Sequence, residues 1–296
     1  MQIKAHPYLL LTLTALFWAG NFVIGRAMKS SIPPISLVFW RWTLALGILL
    51  PFAIPHLRAD WPVLKQNWRW LTIFGVLGIS CFNTFVYIGL HSTTATNALI
   101  INSVIPILIV LLSRLLAATP VSARQVLGIA LSLSGVLTII CRANLDVILT
   151  LKINSGDAWI LLAVLSWAFY TFFLRHRPAE LHPLSFLASI VFIGLIPLTI
   201  LYVWELGQGE RFALNPANIT SILYVALFPS VLAFIFWNQS VRNVGANRAG
   251  LFLYLMPVFG TILSIIFLDE TFHLFQLAGI GLIFFGIWLT TAASAR

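Results

Sequence analysis

Arg41 stands between Trp40 and Trp42 in the run SLVFWRWTLAL (36–46), a permanent cation set among apolar side chains. A guanidinium in that position either offers its charge to a carboxylate or ties its N–H donors to helix-end carbonyls. Rings and amides recur elsewhere at helical spacing. Trp18, Asn21 and Phe22 lie at i, i+3 and i+4, echoed by Trp167, Tyr170 and Thr171. Asn83 and Tyr87 share a helix face, Trp237 and Asn238 are adjacent, and Asn102 and Tyr254 each stand about one turn before a proline, Pro106 and Pro257. One cation, several amides and many rings suit noncovalent recognition: stacking for a flat solute, hydrogen bonds for its polar edge, an ion pair for its acid group. They do not suit bond making. No nucleophile stands with a base, so an enzyme is not expected, and Glu270 with His273 supplies only one fragment of a metal site. Neither metal nor cofactor is expected. The substrate-binding set is therefore read as Trp18, Asn21, Phe22, Arg41, Asn83, Tyr87, Asn102, Trp167, Tyr170, Trp237, Asn238 and Tyr254. Interhelical hydrogen bonding is the alternative role for the polar members.

These residues meet only if helices hold them. Of 296 residues 60% are hydrophobic and 8% charged, with mean hydropathy +0.99, whereas a soluble domain carries roughly 25% charged residues. So few charges cannot cover a water-facing surface, and the solvent must be lipid. Cutting at charge, proline and glycine clusters leaves ten segments of membrane-crossing length, roughly 7–28, 34–55, 69–90, 94–116, 122–141, 157–175, 183–204, 218–240, 246–267 and 273–293. The formal charge of +9 is scattered in ones and twos, which speaks against nucleic acid as a partner. With the N-terminus cytoplasmic, eleven of the 17 basic residues fall on the cytoplasmic side and five opposite, with Arg41 inside the membrane. Both termini are thus expected in the cytoplasm. Cys81 and Cys141 both lie in apolar segments and offer no disulfide framework. His56 and Asp60 fall in a proline-flanked stretch that reads as a solvated loop.

The chain repeats itself. LFWAGNFVIGR (16–26) aligns with LSWAFYTFFLR (165–175), and Pro34-Ile35-Ser36 with Pro183-Leu184-Ser185. At a shift two residues larger, Pro106 pairs with Pro257, Ser113 with Ser264, Gln125 with Gln276, Gly128 with Gly279 and Gly135 with Gly286. Each half holds five spans, an odd number, so the second copy enters the membrane from the other face. The expected organisation is a first repeat over 1–141, an interfacial linker over 142–156 and a second repeat over 157–296. Inverted halves that rock about a midplane site are a transporter architecture. The glycines at seven-residue spacing fit close helix contacts that brace the core or form a homodimer face.

The whole chain resembles the ten-helix exporter (EamA-type) branch of the drug/metabolite transporter superfamily. FWAGNFVIGR, PPISLVFWRW and the closing stretch MPVFGTILSIIFLDETFHLFQLAGIGLIFFGIWL (256–289) carry the likeness, with Thr119 standing where Glu270 has its repeat position. Within that branch the chain resembles the bacterial aromatic amino-acid exporters. The resemblance implies an all-α protein of two five-helix inverted repeats in the bacterial inner membrane. It also implies export of amino acids and related small metabolites by alternating access, with planar organic cations as the other substrate class. No Asp, Glu, Lys or His stands at mid-membrane, which points to a carrier driven by the solute gradient.

Overall fold

The computed structural model describes residues 5–291 except 29, 94, 145, 151, 153, 269 and 270. Among the described residues, ten helices are long and apolar enough to span a membrane: Pro7–Gly25, Pro34–Ala59, Trp68–Ser92, Asn97–Ala117, Ala123–Ile140, Ser155–His176, Pro183–Gly207, Pro216–Val244, Ala246–Leu263 and Leu274–Thr291. They are numbered here as spans one to ten. The first begins and the tenth ends at one end of the bundle, the terminal face; the other end is the opposite face. Local chemistry sets the helix starts. Ser122 accepts from the Gln125 N–H, and Asn154 and Asp157 form a reciprocal capping box. Asn215 accepts from Asn218, and prolines open the second and seventh spans, where a missing N–H costs nothing.

Two features depart from the sequence reading. The second span does not stop at residue 55 but runs through Pro51 and Pro55 to Ala59, which makes His56 helical rather than part of a loop. The two prolines stand four residues apart, so their missing bonds lie on one strip of the helix and the remaining ladder carries the chain on. The third and eighth spans contain π-helical turns, Gly75–Cys81 and Ala226–Leu232, at equivalent places in the two repeats. In the eighth, Pro229 cannot donate to Val225, and the Ser230 hydroxyl takes that carbonyl instead at 2.6 Å. In the third, Ser80 sits equivalently and donates to the Gly194 carbonyl at 2.7 Å. There Gly75 lets two helices touch: a Cβ would lie 2.7 Å from the Ile190 carbonyl oxygen.

Three of the pairings that join the repeats set the frame around the site. The fifth and tenth spans meet through glycines, since a Cβ on Gly135 would lie 2.5 Å from the Gly279 carbonyl and one on Gly286 2.4 Å from the Gly128 carbonyl. The glycine stripe thus braces the two repeats of this chain against each other. The second and seventh spans pack side by side, each holding the other's N-terminus. At the opposite face Glu205, buried, accepts from the backbone N–H groups of Ile35 (3.0 Å) and Ser36 (2.6 Å) and from the Ser36 hydroxyl (2.6 Å). At the terminal face Asp60 accepts from His182 N–H at 2.9 Å, and the His56 and His182 rings stack at 3.6 Å. Carboxylates suit both places because helix N-termini are positive and lack acceptors. The third and sixth spans are tied at the opposite face, where Asp157 accepts from Thr93 and Asn97.

Candidate substrate cavity

Between the repeats the first, sixth and eighth spans bring three indoles together. Trp18 meets Trp167 edge-on at 5.1 Å and Trp237 at 5.2 Å, and Phe234 lies 5.5 Å from Trp167. Such tilted and edge-to-face contacts suit ring quadrupoles. Above this cluster, toward the opposite face, is a narrow cavity of about 400 Å³, counting its solvent-open part. Its lining is Trp18, Asn21, Arg41, Phe82, Asn83, Asn102, Ile105, Trp167, Phe234, Leu253 and Met256. Asn102 is five residues into the fourth span and Arg41 seven into the second, about 8 and 10 Å below the opposite face at 1.5 Å per residue. The walls are rings and aliphatic side chains; the polar points are three amides and one cation.

Arg41 is 2% exposed. Its Nε donates to the Ser230 hydroxyl at 2.5 Å, Nη1 to Asn21 Oδ1 at 3.3 Å and Nη2 to the Pro229 carbonyl at 3.5 Å. The Pro229 carbonyl also accepts from the Trp18 indole at 3.0 Å. One π-turn therefore orients both the cation and the indole, a device for which an unbroken α-helix has no spare carbonyl. Those three bonds use three of the five guanidinium N–H groups, and the Tyr87 side chain lies within hydrogen-bonding reach of the guanidinium as well. Asn21 accepts from Tyr87 at 3.4 Å as well as from Arg41, which fixes its amide from two sides.

The structure brings together Trp18, Asn21, Arg41, Asn83, Asn102 and Trp167 of the sequence-read set. Tyr87 lies one contact behind, holding Asn21. Tyr170, Trp237, Asn238 and Tyr254 are buried outside the lining, on the terminal side of the cluster or against it. The side chain of Phe22 lies outside the described residues, as does Glu270. Phe82, Ile105, Phe234, Leu253 and Met256 line the cavity without any sequence signal, because apolar residues within apolar spans offer no contrast. The displaced residues obey the repeat: Tyr170 donates to Asn238 at 2.7 Å, the counterpart of Tyr87 and Asn21 with the two residue types exchanged. One Tyr–Asn pair thus borders the cavity and its twin is sealed below it. His273 approaches Thr271 at 3.1 Å, and no group of three or more metal-ligating side chains occurs among the described residues.

Known proteins supply the family. Residues 6–141 and again 154–292 match the EamA-like transporter family. The chain is 28% identical over 290 residues to the uncharacterized transporter YyaM of Bacillus subtilis, covering 98% of this chain and 94% of that protein. It is 27% identical to an uncharacterized transporter of Archaeoglobus fulgidus over 99% of both chains. A WAT1-related chloroplastic protein of Arabidopsis thaliana is 25% identical, over 92% of this chain and 66% of its own length. A solved crystal structure shares the fold, with a TM-score of 0.78 over 98% of each chain at 17% identity. With one family accounting for both halves, the chain belongs to the EamA-like transporter family and is a multi-pass membrane transporter.

Proposed function

We propose that this transporter moves small amphipathic metabolites bearing a carboxylate, aromatic amino acids foremost, out of the bacterial cytoplasm. It does so across the inner membrane by alternating access, with both termini cytoplasmic. The observation that carries this reading is the juxtaposition in one cavity of the Arg41 cation and the indoles of Trp18 and Trp167. A carboxylate answers the cation, a planar side chain answers the rings, and Asn21, Asn83 and Asn102 can take an amino group. The lining contains no carboxylate or imidazole among the described residues, which supports a carrier driven by the solute gradient rather than by protons.

The test is counterflow in proteoliposomes loaded with unlabelled tryptophan. Labelled tryptophan should accumulate with saturation and trans-stimulation, and collapsing the proton gradient should leave the exchange unchanged. Tryptamine, which keeps the ring and loses the carboxylate, should exchange at least tenfold more slowly. Equal or faster tryptamine exchange would replace this reading with a planar-cation carrier, and absence of any exchange among the aromatic amino acids would end it.

A further inference from the structure

On the terminal side of the tryptophans the bundle holds a second group of donors that the cavity does not use. Tyr170 donates to Asn238 Oδ1, and the Asn238 Nδ2 amide is buried without an acceptor. Seven residues beyond Tyr170, Arg177 lays its guanidinium 4.5 Å over the Phe186 ring and donates through Nη2 to the Leu181 carbonyl at 3.1 Å. Its Nε is buried and also lacks an acceptor. The indole N–H of Trp237 is in the same condition. Arg242 follows Asn238 by four residues, on the same face of the eighth span. Burial, and then the charge of Arg242, pull the Arg177 pKa down to about 10, which leaves it cationic at neutral pH. Asp60, a carboxylate at this end, is engaged by the His182 N–H. Arg177, Asn238 and Trp237 therefore all offer donors, and what they lack is an acceptor, best supplied with negative charge.

The repeat gives this group its context. In the first half a Tyr–Asn pair stands beside an arginine, Arg41, at the cavity; in the second its twin stands beside Arg177 across the aromatic cluster. We propose that Arg177, Arg242 and Asn238 form a terminal-face station for the carboxylate of a small organic anion, filled when the tryptophan cluster parts toward that face. The identity of that anion as transported solute rests on the function proposed above; binding of a carboxylate does not. An acid group passing through the bundle would then meet a guanidinium on each side of the aromatic plug.

Full-length protein labelled with 5-fluorotryptophan, in phosphatidylcholine nanodiscs, tests this without transport. The fluorine signal of Trp237, assigned through Trp237→Phe, should shift saturably with benzoate and not with the neutral isostere benzamide. Arg177→Gln should weaken the benzoate response at least tenfold and Arg242→Gln several-fold. If Arg177→Gln does not fold, Arg242→Gln and the benzoate–benzamide comparison on the unmodified chain still decide the matter. Equal shifts with benzamide, or full response in both Arg177→Gln and Arg242→Gln, would overturn the station. So would a response to added phosphatidylglycerol alone, which would make the ligand a lipid headgroup. Failed tryptophan counterflow with an intact benzoate shift would sink the proposed function and spare the station.

Discussion

Arg41 serves three acceptors at once, and its chemistry can be separated from its charge. In Arg41→Lys a single ammonium keeps the cation but cannot reach Ser230, Asn21 and Pro229 together. Tryptophan counterflow should fall at least tenfold while the protein stays monodisperse. Arg41→Leu removes all three bonds from a buried place, although Pro229 keeps the Trp18 indole and Asn21 the Tyr87 hydroxyl, so it should also lower the melting temperature. If lysine transports normally, the fork geometry is irrelevant and only charge matters. Trp167 touches Trp18, Trp237, Phe82 and Phe234. Trp167→Phe preserves most of that contact and should reduce aromatic flux more than stability, read as counterflow rate against melting point. Trp167→Ala should cost about 3–5 kcal/mol, as large-to-small changes in packed cores do. Arg41, Asn21, Asn83 and Asn102 were legible in the sequence because charges and amides stand out against apolar spans. Tyr170 and Asn238 were equally visible, yet polarity alone cannot tell a cavity wall from a sealed hydrogen bond.

Helices in this chain are fixed at their ends by carboxylates, and those ends are where one repeat grips the other. Glu205 accepts three hydrogen bonds from the start of the second span, the helix that carries Arg41. In Glu205→Gln one oxygen becomes a donor facing donors, and the charge opposite the helix N-terminus is lost. The expected loss is about 2 kcal/mol, seen as a lower melting temperature, with Ser36→Ala costing less because it removes one bond of the three. At the terminal face burial above all depresses the His182 pKa, with the His56 ring and Arg177 among the smaller causes in the same direction and Asp60 acting the other way. The folded chain thus resists protonation that the unfolded chain accepts below about pH 6.5. The His182 contribution is complete above that pH and is lost as the pH falls through its lower folded value. His182→Asn keeps an N-capping side chain and removes the titration, so it should flatten the melting-temperature profile between pH 7 and pH 5 by about 1–2 °C. An unchanged profile would assign the acid sensitivity elsewhere. At this scale hydropathy placed the spans well. It missed the continuation through Pro51 and Pro55 and the two π-turns, because a proline reads as a break and a one-residue insertion leaves no mark on a 3.6-residue period.

The molecule as a whole is two copies of one five-helix unit held in opposite senses, and that much was written in matched residues such as Gly128 with Gly279 and Pro106 with Pro257. How the copies dock was not written there. Gly135 meets Gly279, the repeat counterpart of Gly128 rather than its own, and Arg41, opposite Ile190 by repeat position, found its partners on the eighth span. Duplication makes two shapes available to one sequence: with the halves in one arrangement the cavity faces one side, and with their roles exchanged it faces the other. In the arrangement described here the Asn21–Tyr87 pair borders the cavity and the Tyr170–Asn238 pair is closed. That asymmetry dictates an accessibility experiment. Asn102→Cys, in a chain whose Cys81 and Cys141 are replaced by serine, lines the cavity about 8 Å from the opposite face. A membrane-impermeant maleimide applied from that face should label it readily. Asn238→Cys, buried behind the tryptophans, should resist reagent from both faces until tryptophan is supplied, and then react from the terminal face while labelling at residue 102 declines. The reciprocal change is what separates alternating access from a channel, in which both positions would react together. Labelling of residue 238 that is fast and indifferent to substrate would show the aromatic cluster to be a lining rather than a gate.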